Sequence, residues 1–150
     1  MKNINLTMGC LLVVSLLSLN GAPLRDAQTL YQVKCQMCHL SQSPKSKEAY
    51  NKMSGPSMNY VIKNLVWGME SEHDDIKPEE LKKVSIEFMK DYIFAPDRKK
   101  TNCEDVSFDK FGVMPNLKGY ITDEELDVVL PWIYDKFKPH KVNGKWEVAK

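Results

Sequence analysis

Residues 35 to 39 of the chain read Cys-Gln-Met-Cys-His, and this short segment brings together the side chains with the most reactive chemistry. Cys35 and Cys38 are three positions apart, so one helical turn presents both thiols together, and the imidazole of His39 follows directly. Thiols and imidazoles bind metal ions, and a pair of thiols can also carry out redox chemistry or form covalent thioethers. The spacing therefore indicates a chemical site rather than a structural disulfide framework.

Three interpretations of this segment make different demands on the rest of the chain. A thioredoxin-like dithiol expects a βαβ setting, but no short β-branched runs of a parallel sheet follow the segment. A structural zinc site usually needs a second pair of ligands, and the other candidates are scattered: His73, Cys103 and His140. C-x-x-C-H is also the pattern of covalent haem c attachment, in which two thioethers hold one porphyrin edge and the histidine binds the iron. We therefore predict one covalently bound haem c.

The residues around the motif extend this pattern. Tyr31 stands four positions before the first cysteine, Ala27 stands eight before it, and Gly55-Pro56 follows the motif. These positions resemble small monohaem cytochromes c of class I type, in which the iron has His and Met ligands and Gly is usual at the position of Ala27. The resemblance implies an all-α, cytochrome c-like fold with crossing N- and C-terminal helices, and a Pro56 carbonyl that accepts a hydrogen bond from His39. An ordinary turn is the alternative for Gly55-Pro56.

The opposite face of the iron needs a second ligand, for which five methionines are candidates: Met53, Met58, Met69, Met89 and Met114. Gly112 and Pro115 flank Met114 and predict a shaped loop rather than a helix interior. This Met-Pro segment resembles the family's ligand loop, so Met114 is the expected axial ligand, with core packing as the alternative. Two other methionines are expected in the core, Met58 and Met89. The rival ligands are histidines predicted to lie on the surface, His73 and His140.

The first 22 residues have the composition of a secretion signal. Lys2 is the only charged residue before Arg25, and an apolar run occupies residues 10–19. A membrane-spanning helix needs about 20 apolar residues, so a cleaved signal peptide fits better than a retained anchor. We expect a signal peptide at 1–22, a periplasmic cytochrome c domain at 23–150, and no stable membrane insertion after cleavage.

Composition limits the partners of this domain. The chain has 150 residues, 43% of them hydrophobic, which suits one globular domain. Lys and Arg total 21 against 20 Asp and Glu, so no uniform field is available to bind nucleic acid or an anionic membrane. Redox proteins that donate and accept electrons are the expected partners. Four lysines near the motif are hypothesised to steer an acidic partner, with a solvated surface as the alternative: Lys34, Lys45, Lys47 and Lys52.

Helices are predicted on either side of the motif. Apolar spacing predicts helices over 24–34 and 57–69, and a third that begins at Pro78 and continues to Tyr92. A capping box at Thr122-Asp-Glu-Glu125 predicts the start of a last helix, which Pro131 should kink. We expect Tyr31 and Ala27 to contact Trp132 or Ile133 of that helix.

Two stretches are predicted as connections without regular structure. Residues 41–55 are polar and rich in Ser and Lys, and residues 95–113 form a long segment before Met114. Cys103 in the second stretch is the thiol left over after haem attachment. It is expected to be buried or half-buried, with pairing to another chain as the alternative.

An iron bound by the protein on both faces has no open coordination position, so this reading favours electron transfer over enzymatic catalysis. We expect an exported one-electron carrier. Two alternatives stay open: a dedicated haem subunit of a periplasmic oxidoreductase complex, and a haem enzyme or gas sensor with an open iron site.

Overall fold

A computed structural model describes residues 25–73, 75–101, 105–142 and 145–148. The elements in chain order are α1 (Ala27–Lys34), α2 (Lys47–Asn51), α3 (Met58–Glu72), α4 (Pro78–Phe94), a 3₁₀ turn (Arg98–Lys100), α5 (Asp105–Phe111), α6 (Asp123–Phe137), β1 (Pro139–Val142) and β2 (Lys145–Val148). The all-α fold class is confirmed, with one short hairpin at its C-terminal end. The predicted signal peptide and Cys103 lie outside the described residues.

Helices α1 and α6 pack against each other, as the resemblance implied, and their interface forms the centre of the core. Leu30 is completely buried, and the ring of Tyr31 lies 5.6 Å from that of Trp132 and 5.5 Å from that of Phe137. The predicted contact between Tyr31 and Trp132 is confirmed. Helix α6 supplies the largest buried stripe: Leu126, Val129, Leu130, Ile133, Tyr134 and Phe137.

The predicted capping box begins α6. The Thr122 hydroxyl accepts a hydrogen bond from the Glu125 amide at 3.2 Å, and the Glu125 carboxylate accepts one from the Thr122 amide at 3.1 Å. These bonds satisfy amides that the first turn of a helix leaves without partners. The helix continues past Pro131 to Phe137, because the buried stripe on both sides of the proline outweighs the loss of one hydrogen bond.

The two stretches predicted as irregular connections each contain a short helix, so that prediction was wrong in both. In 41–55 the Ser46 hydroxyl accepts a hydrogen bond from the Ala49 amide and caps α2, and Lys52 forms an ion pair with Glu48 at 2.8 Å. Residues 95–113 contain the 3₁₀ turn and α5, where a connection without regular structure was expected. Helices this short leave too few turns for a periodic apolar pattern to be detected.

The C-terminal hairpin was also not predicted. Strand β1 pairs antiparallel with β2, with Pro139 opposite Val148 and Val142 opposite Lys145. The sequence signal was present, since Asn143-Gly144 separates the two strands and this dipeptide favours two-residue hairpin loops. No helix within the described ranges is long and apolar enough to cross a bilayer.

One buried polar side chain gives a stability prediction. Ser85 is completely buried on α4, and its hydroxyl has no hydrogen-bond partner among the described residues. An unsatisfied buried hydroxyl is destabilising, and alanine is the better helix former. We therefore expect Ser85→Ala to raise the free energy of unfolding in denaturant by about 1 kcal/mol. Ser71→Ala on the exposed surface of α3 is the control and should change it by less than about 0.5 kcal/mol. A loss of stability in Ser85→Ala would contradict this account of the hydroxyl.

Candidate functional site

A cavity of about 660 Å³ lies among the helices, and its wall brings together all four site residues predicted from sequence. Cys35, Cys38 and His39 contribute from the end of α1, and Met114 contributes from the loop after α5. Helices α3, α4, α5 and α6 and the segments at 54–56, 100–101, 112–117 and 120–121 complete most of the wall. His73 and His140, the rival ligands, are exposed and do not line the cavity.

The imidazole of His39 is held by the main chain on one side. Its Nδ1 lies 2.7 Å from the carbonyl oxygen of Pro56, and because a carbonyl only accepts, Nδ1 donates. The hydrogen bond predicted from the Gly-Pro pair is therefore confirmed. The ring hydrogen is fixed on Nδ1, so the lone pair is on Nε2, the atom available to a metal. Burial lowers the pKa of His39, although the Pro56 bond opposes this shift, and the neutral ligating form is favoured.

Gly55 permits the close approach of this segment to the histidine. A Cβ at residue 55 would lie 3.1 Å from the carbonyl oxygen of Cys38 and 3.3 Å from Cε1 of His39. Both distances are tighter than ordinary van der Waals contact, so any side chain would push the ring or the motif backbone. Gly55 is thus required by the packing of the imidazole, which the sequence pattern alone did not explain.

Tyr31 joins the histidine backbone to the helix core. Its hydroxyl donates to the carbonyl oxygen of His39 at 2.7 Å and lies 3.4 Å from the hydroxyl of Ser41. Burial raises the pKa of Tyr31, so the phenol keeps its proton and remains a donor. The aromatic residue four positions before Cys35 therefore packs between α1 and α6 and also fixes the motif.

The two thiols do not have the environment of a reactive dithiol. Cys35 is half-buried and Cys38 is exposed. Burial, and secondarily the neighbouring charge of Cys38, raises the pKa of Cys35 to about 11. Catalytic thiols instead have depressed pKa values, which argues against the thioredoxin-like alternative. For zinc, the described ranges contain no group of three or more His, Cys, Asp or Glu side chains arranged to hold a metal ion.

The Met114 loop is attached to the end of α4. The Asn116 side-chain amide donates to the Phe94 carbonyl at 2.6 Å, and the Leu117 amide donates to the Ile93 carbonyl at 3.1 Å. Gly112 has a φ of 69°, a left-handed conformation that glycine adopts without strain, and this lets the chain turn after α5. These hydrogen bonds anchor the loop on the C-terminal side of Met114.

Other methionines share the cavity wall: Met37, Met58, Met69 and Met89. Met58 and Met89 are buried within helices α3 and α4, which confirms the prediction that they belong to the core. Met37 is 77% exposed inside the motif. Met53 does not line the cavity. Among the thioethers of the wall, Met114 alone stands in a loop outside the helices and the motif.

The donor set and the cavity wall fit a haem. The wall is mainly apolar, and its volume falls in the range of about 300 to 1,000 Å³ usual for ligand and cofactor sites. Two thiols lie together beside a neutral imidazole whose Nε2 has its lone pair available. A thioether, a soft ligand that suits haem iron, is present in the same wall. When bound, such a group would supply one-electron chemistry at iron.

The hypothesis that four lysines near the motif steer an acidic partner is not supported at Lys34. Its ammonium donates to the Tyr120 carbonyl, lies 4.5 Å from the centre of the Tyr120 ring, and pairs with Glu125 at 3.6 Å. Its side chain is only 17% exposed, so this charge is neutralised within the fold. Lys45 and Lys47 remain exposed, while Lys52 pairs with Glu48.

Comparisons with known proteins agree with this site in part. A family model described as cytochrome c oxidase, cbb3-type, subunit III matches residues 22–89. The matched range includes the Cys35–His39 motif and Gly55-Pro56 but ends before Met114. An uncharacterized protein of Aquifex aeolicus (strain VF5) is 28% identical over an alignment that covers 81% of this chain and 84% of the relative. No solved structure matches. The family match supports a haem-binding, electron-transfer cytochrome of the c type.

The contact at Gly55 yields a prediction, which takes the haem and its His39 ligand from the family resemblance. We expect Gly55→Ala to lower the free energy of unfolding by about 1 to 3 kcal/mol, because the added methyl overpacks the His39 ring. Displacing the ring weakens its bond to Pro56, makes the imidazole a poorer donor to iron, and should raise the reduction potential.

Gly119→Ala is the matched control for this variant. Residue 119 has a φ of 85°, and no atom lies within 4 Å of the place that an alanine methyl would occupy, so alanine there introduces backbone strain alone. We expect a loss of about 1 kcal/mol and an unchanged potential. Equal potentials in the wild-type protein and Gly55→Ala would contradict the proposed role of the glycine.

Proposed function

We propose that this chain binds one haem c covalently through Cys35 and Cys38, with His39 and Met114 as the two iron ligands, and that it transfers single electrons. The observation that supports this most strongly is the convergence of the four side chains on one apolar cavity. They come from two segments far apart in the chain, so their meeting was not required by the motif itself.

The chain's own residues have three tasks in this proposal. The thioether bonds from Cys35 and Cys38 fix the edge of the ring, and the Pro56 carbonyl orients His39 and increases its donor strength. Apolar side chains of α3, α4 and α6 exclude water from the cavity and so keep the surroundings of the iron at low dielectric. A thioether in the second axial position favours the reduced state relative to a nitrogen ligand.

Met114 is proposed over the other cavity methionines because of its backbone setting. Met58 and Met89 contribute to the packing of the helices that carry them, so moving either thioether onto an iron would open a gap in the core. Met114 instead belongs to a loop held by Asn116 and Leu117, and it is not among the described residues that form or pack against the apolar core.

We also propose that residues 1–22 are a signal peptide and that residues 23–150 act in the periplasm. This rests on the charge and hydrophobic pattern of the first residues. Export is compatible with this haem proposal. In it, the two motif cysteines bind the cofactor and do not belong to a disulfide framework.

A subunit of an oxidoreductase complex is the second candidate role. The matching family model describes a subunit of a cytochrome c oxidase, and that description favours partnership with a larger redox enzyme. The two roles share the same haem chemistry and differ only in whether the chain stays bound to its partner. A diffusible carrier is our first proposal because this chain by itself supplies both proposed thioether cysteines and both proposed iron ligands.

Optical spectra of the oxidised and reduced protein test the cofactor and the ligands together. We expect haem c bands that survive denaturation in wild type and are lost when both Cys35 and Cys38 are replaced by Ala. The ferric protein should also show the weak red charge-transfer absorption of an iron–sulfur(Met) bond. Met114→Ala should abolish this absorption and lower the reduction potential, whereas the matched control Met89→Leu should keep both. Persistence of the absorption in Met114→Ala would assign the ligand to another methionine.

The native size of the protein separates the two roles. A diffusible carrier should elute from gel filtration of a gently prepared extract near or below the full-chain mass of 17.3 kDa. Haem staining after denaturing electrophoresis identifies the chain in each fraction. Elution of all the stained chain with a much larger complex, stable in moderate salt, would favour the subunit role instead.

A further inference from the structure

Helix α5 and the Met114 loop together form one side of the cavity, and they are attached to the protein in an unusual way. Three residues of α5 line the cavity: Ser107, Phe108 and Phe111. Among the described residues, no main-chain hydrogen bond joins α5 to another element. Side chains therefore hold this part of the cavity wall in place.

Three side-chain contacts attach α5 to three different elements. The Ser107 hydroxyl lies 3.3 Å from the Tyr60 hydroxyl of α3. The ring of Phe108 lies 5.0 Å from the Arg98 guanidinium of the 3₁₀ turn. The third contact, to α2, is the most extensive and involves Tyr50, Lys110 and Phe111, which we call the latch.

The latch combines a hydrogen bond with aromatic contacts. The Lys110 ammonium donates to the Tyr50 carbonyl at 2.7 Å, and it lies 3.0 Å from the centre of the Tyr50 ring and 4.8 Å from that of Phe111. The two rings meet edge to face at 6.3 Å. The latch therefore joins one cation to two rings and a carbonyl, and each such exposed contact contributes on the order of 1 kcal/mol or less.

The position of the latch connects the two sides of the proposed iron site. Tyr50 lies between the haem motif and Gly55-Pro56, in the segment that supports His39. Lys110 and Phe111 are followed by Gly112, whose left-handed backbone begins the loop that carries Met114. If the latch opens, the N-terminal side of the Met114 loop keeps only the Ser107 and Phe108 contacts of α5, while Asn116 still holds its C-terminal side.

We propose that Tyr50, Lys110 and Phe111 are positioning residues that keep Met114 on the iron by fastening α5 to α2. This inference deepens the proposed function and rests on its assignment of Met114 as a ligand. The latch sets how often the Met114 thioether dissociates from the iron, and therefore how fast an external ligand binds there. In this proposal the latch does not contact the electron-transfer partner.

Imidazole binding to the ferric haem protein measures this release directly. At saturating imidazole, the observed rate equals the rate at which Met114 leaves. Loss of the cation in Lys110→Met should make this limiting rate roughly tenfold faster. Tyr50→Leu removes the ring but keeps the main-chain carbonyl that accepts from Lys110, so it should give a smaller increase. The double variant should raise the rate by less than the two single effects combined, because both changes remove the contact between the cation and the Tyr50 ring. Lys110→Arg keeps the cation and should stay near the wild-type rate.

Lys118→Met is the matched control. Lys118 lies four residues after Met114, as Lys110 lies four before it, and it does not line the cavity. This variant should bind imidazole at the wild-type rate. Thermal unfolding of each variant is measured alongside, so that a rate change with unaltered melting temperature separates positioning from general destabilisation.

The outcomes separate the latch from the ligand assignment. The latch would be overturned, with Met114 still the ligand, by either of two results. In the first, Lys110→Met has the same limiting rate as the wild-type protein. In the second, Lys118→Met raises the limiting rate as much as Lys110→Met does. A wild-type protein that binds imidazole as fast as Met114→Ala would overturn the ligand assignment and the latch with it. A faster limiting rate in Lys110→Met and Tyr50→Leu, rescued in Lys110→Arg, is the expected result.

Discussion

The hydrogen bond from His39 to the Pro56 carbonyl is the interaction on which the site depends. It decides which ring nitrogen has its lone pair available, and it can form only because Gly55 lets the chain pass close to the ring. Tyr31 supports the same residue from the other direction by donating to the His39 carbonyl. Since the Tyr31 ring is packed between α1 and α6, the orientation of the imidazole is tied to the main core of the protein.

The His39 side and the Met114 side of the cavity differ in rigidity. The His39 side rests on main-chain carbonyls and on a buried helix interface, which move only if the core moves. The Met114 side rests on surface contacts of α5 and on two hydrogen bonds to the end of α4. Contacts of the second kind open at lower free energy, because they bury little apolar surface. Because of this difference, the Met114 side of the proposed iron site is the side that moves more easily.

Most of the sequence-based predictions rest on residues that are close together in the chain. Cys35, Cys38 and His39 are recognisable because their chemistry needs that spacing, and the α6 start is recognisable because a capping box is a contact within four residues. The pairing of Tyr31 with Trp132 was predicted only through resemblance to a family, since nothing local relates two residues so far apart. Helix α5 and the latch were missed because a cation over two rings from different segments leaves no periodic pattern. Neutralisation of Lys34 by Glu125 was missed for the same reason.

The pairing of α1 with α6 joins the first and the last helix of the described fold, and this has a consequence for the order of assembly. Contacts between chain ends form late, because a long loop must close before they contribute. Until the residues of α6 have been synthesised, Leu30 and Tyr31 have no partner surface, and the Cys-Gln-Met-Cys-His segment remains accessible. Under the proposed covalent attachment, the haem would therefore be joined to an open chain, and the completed polypeptide would close around a porphyrin that is already tethered.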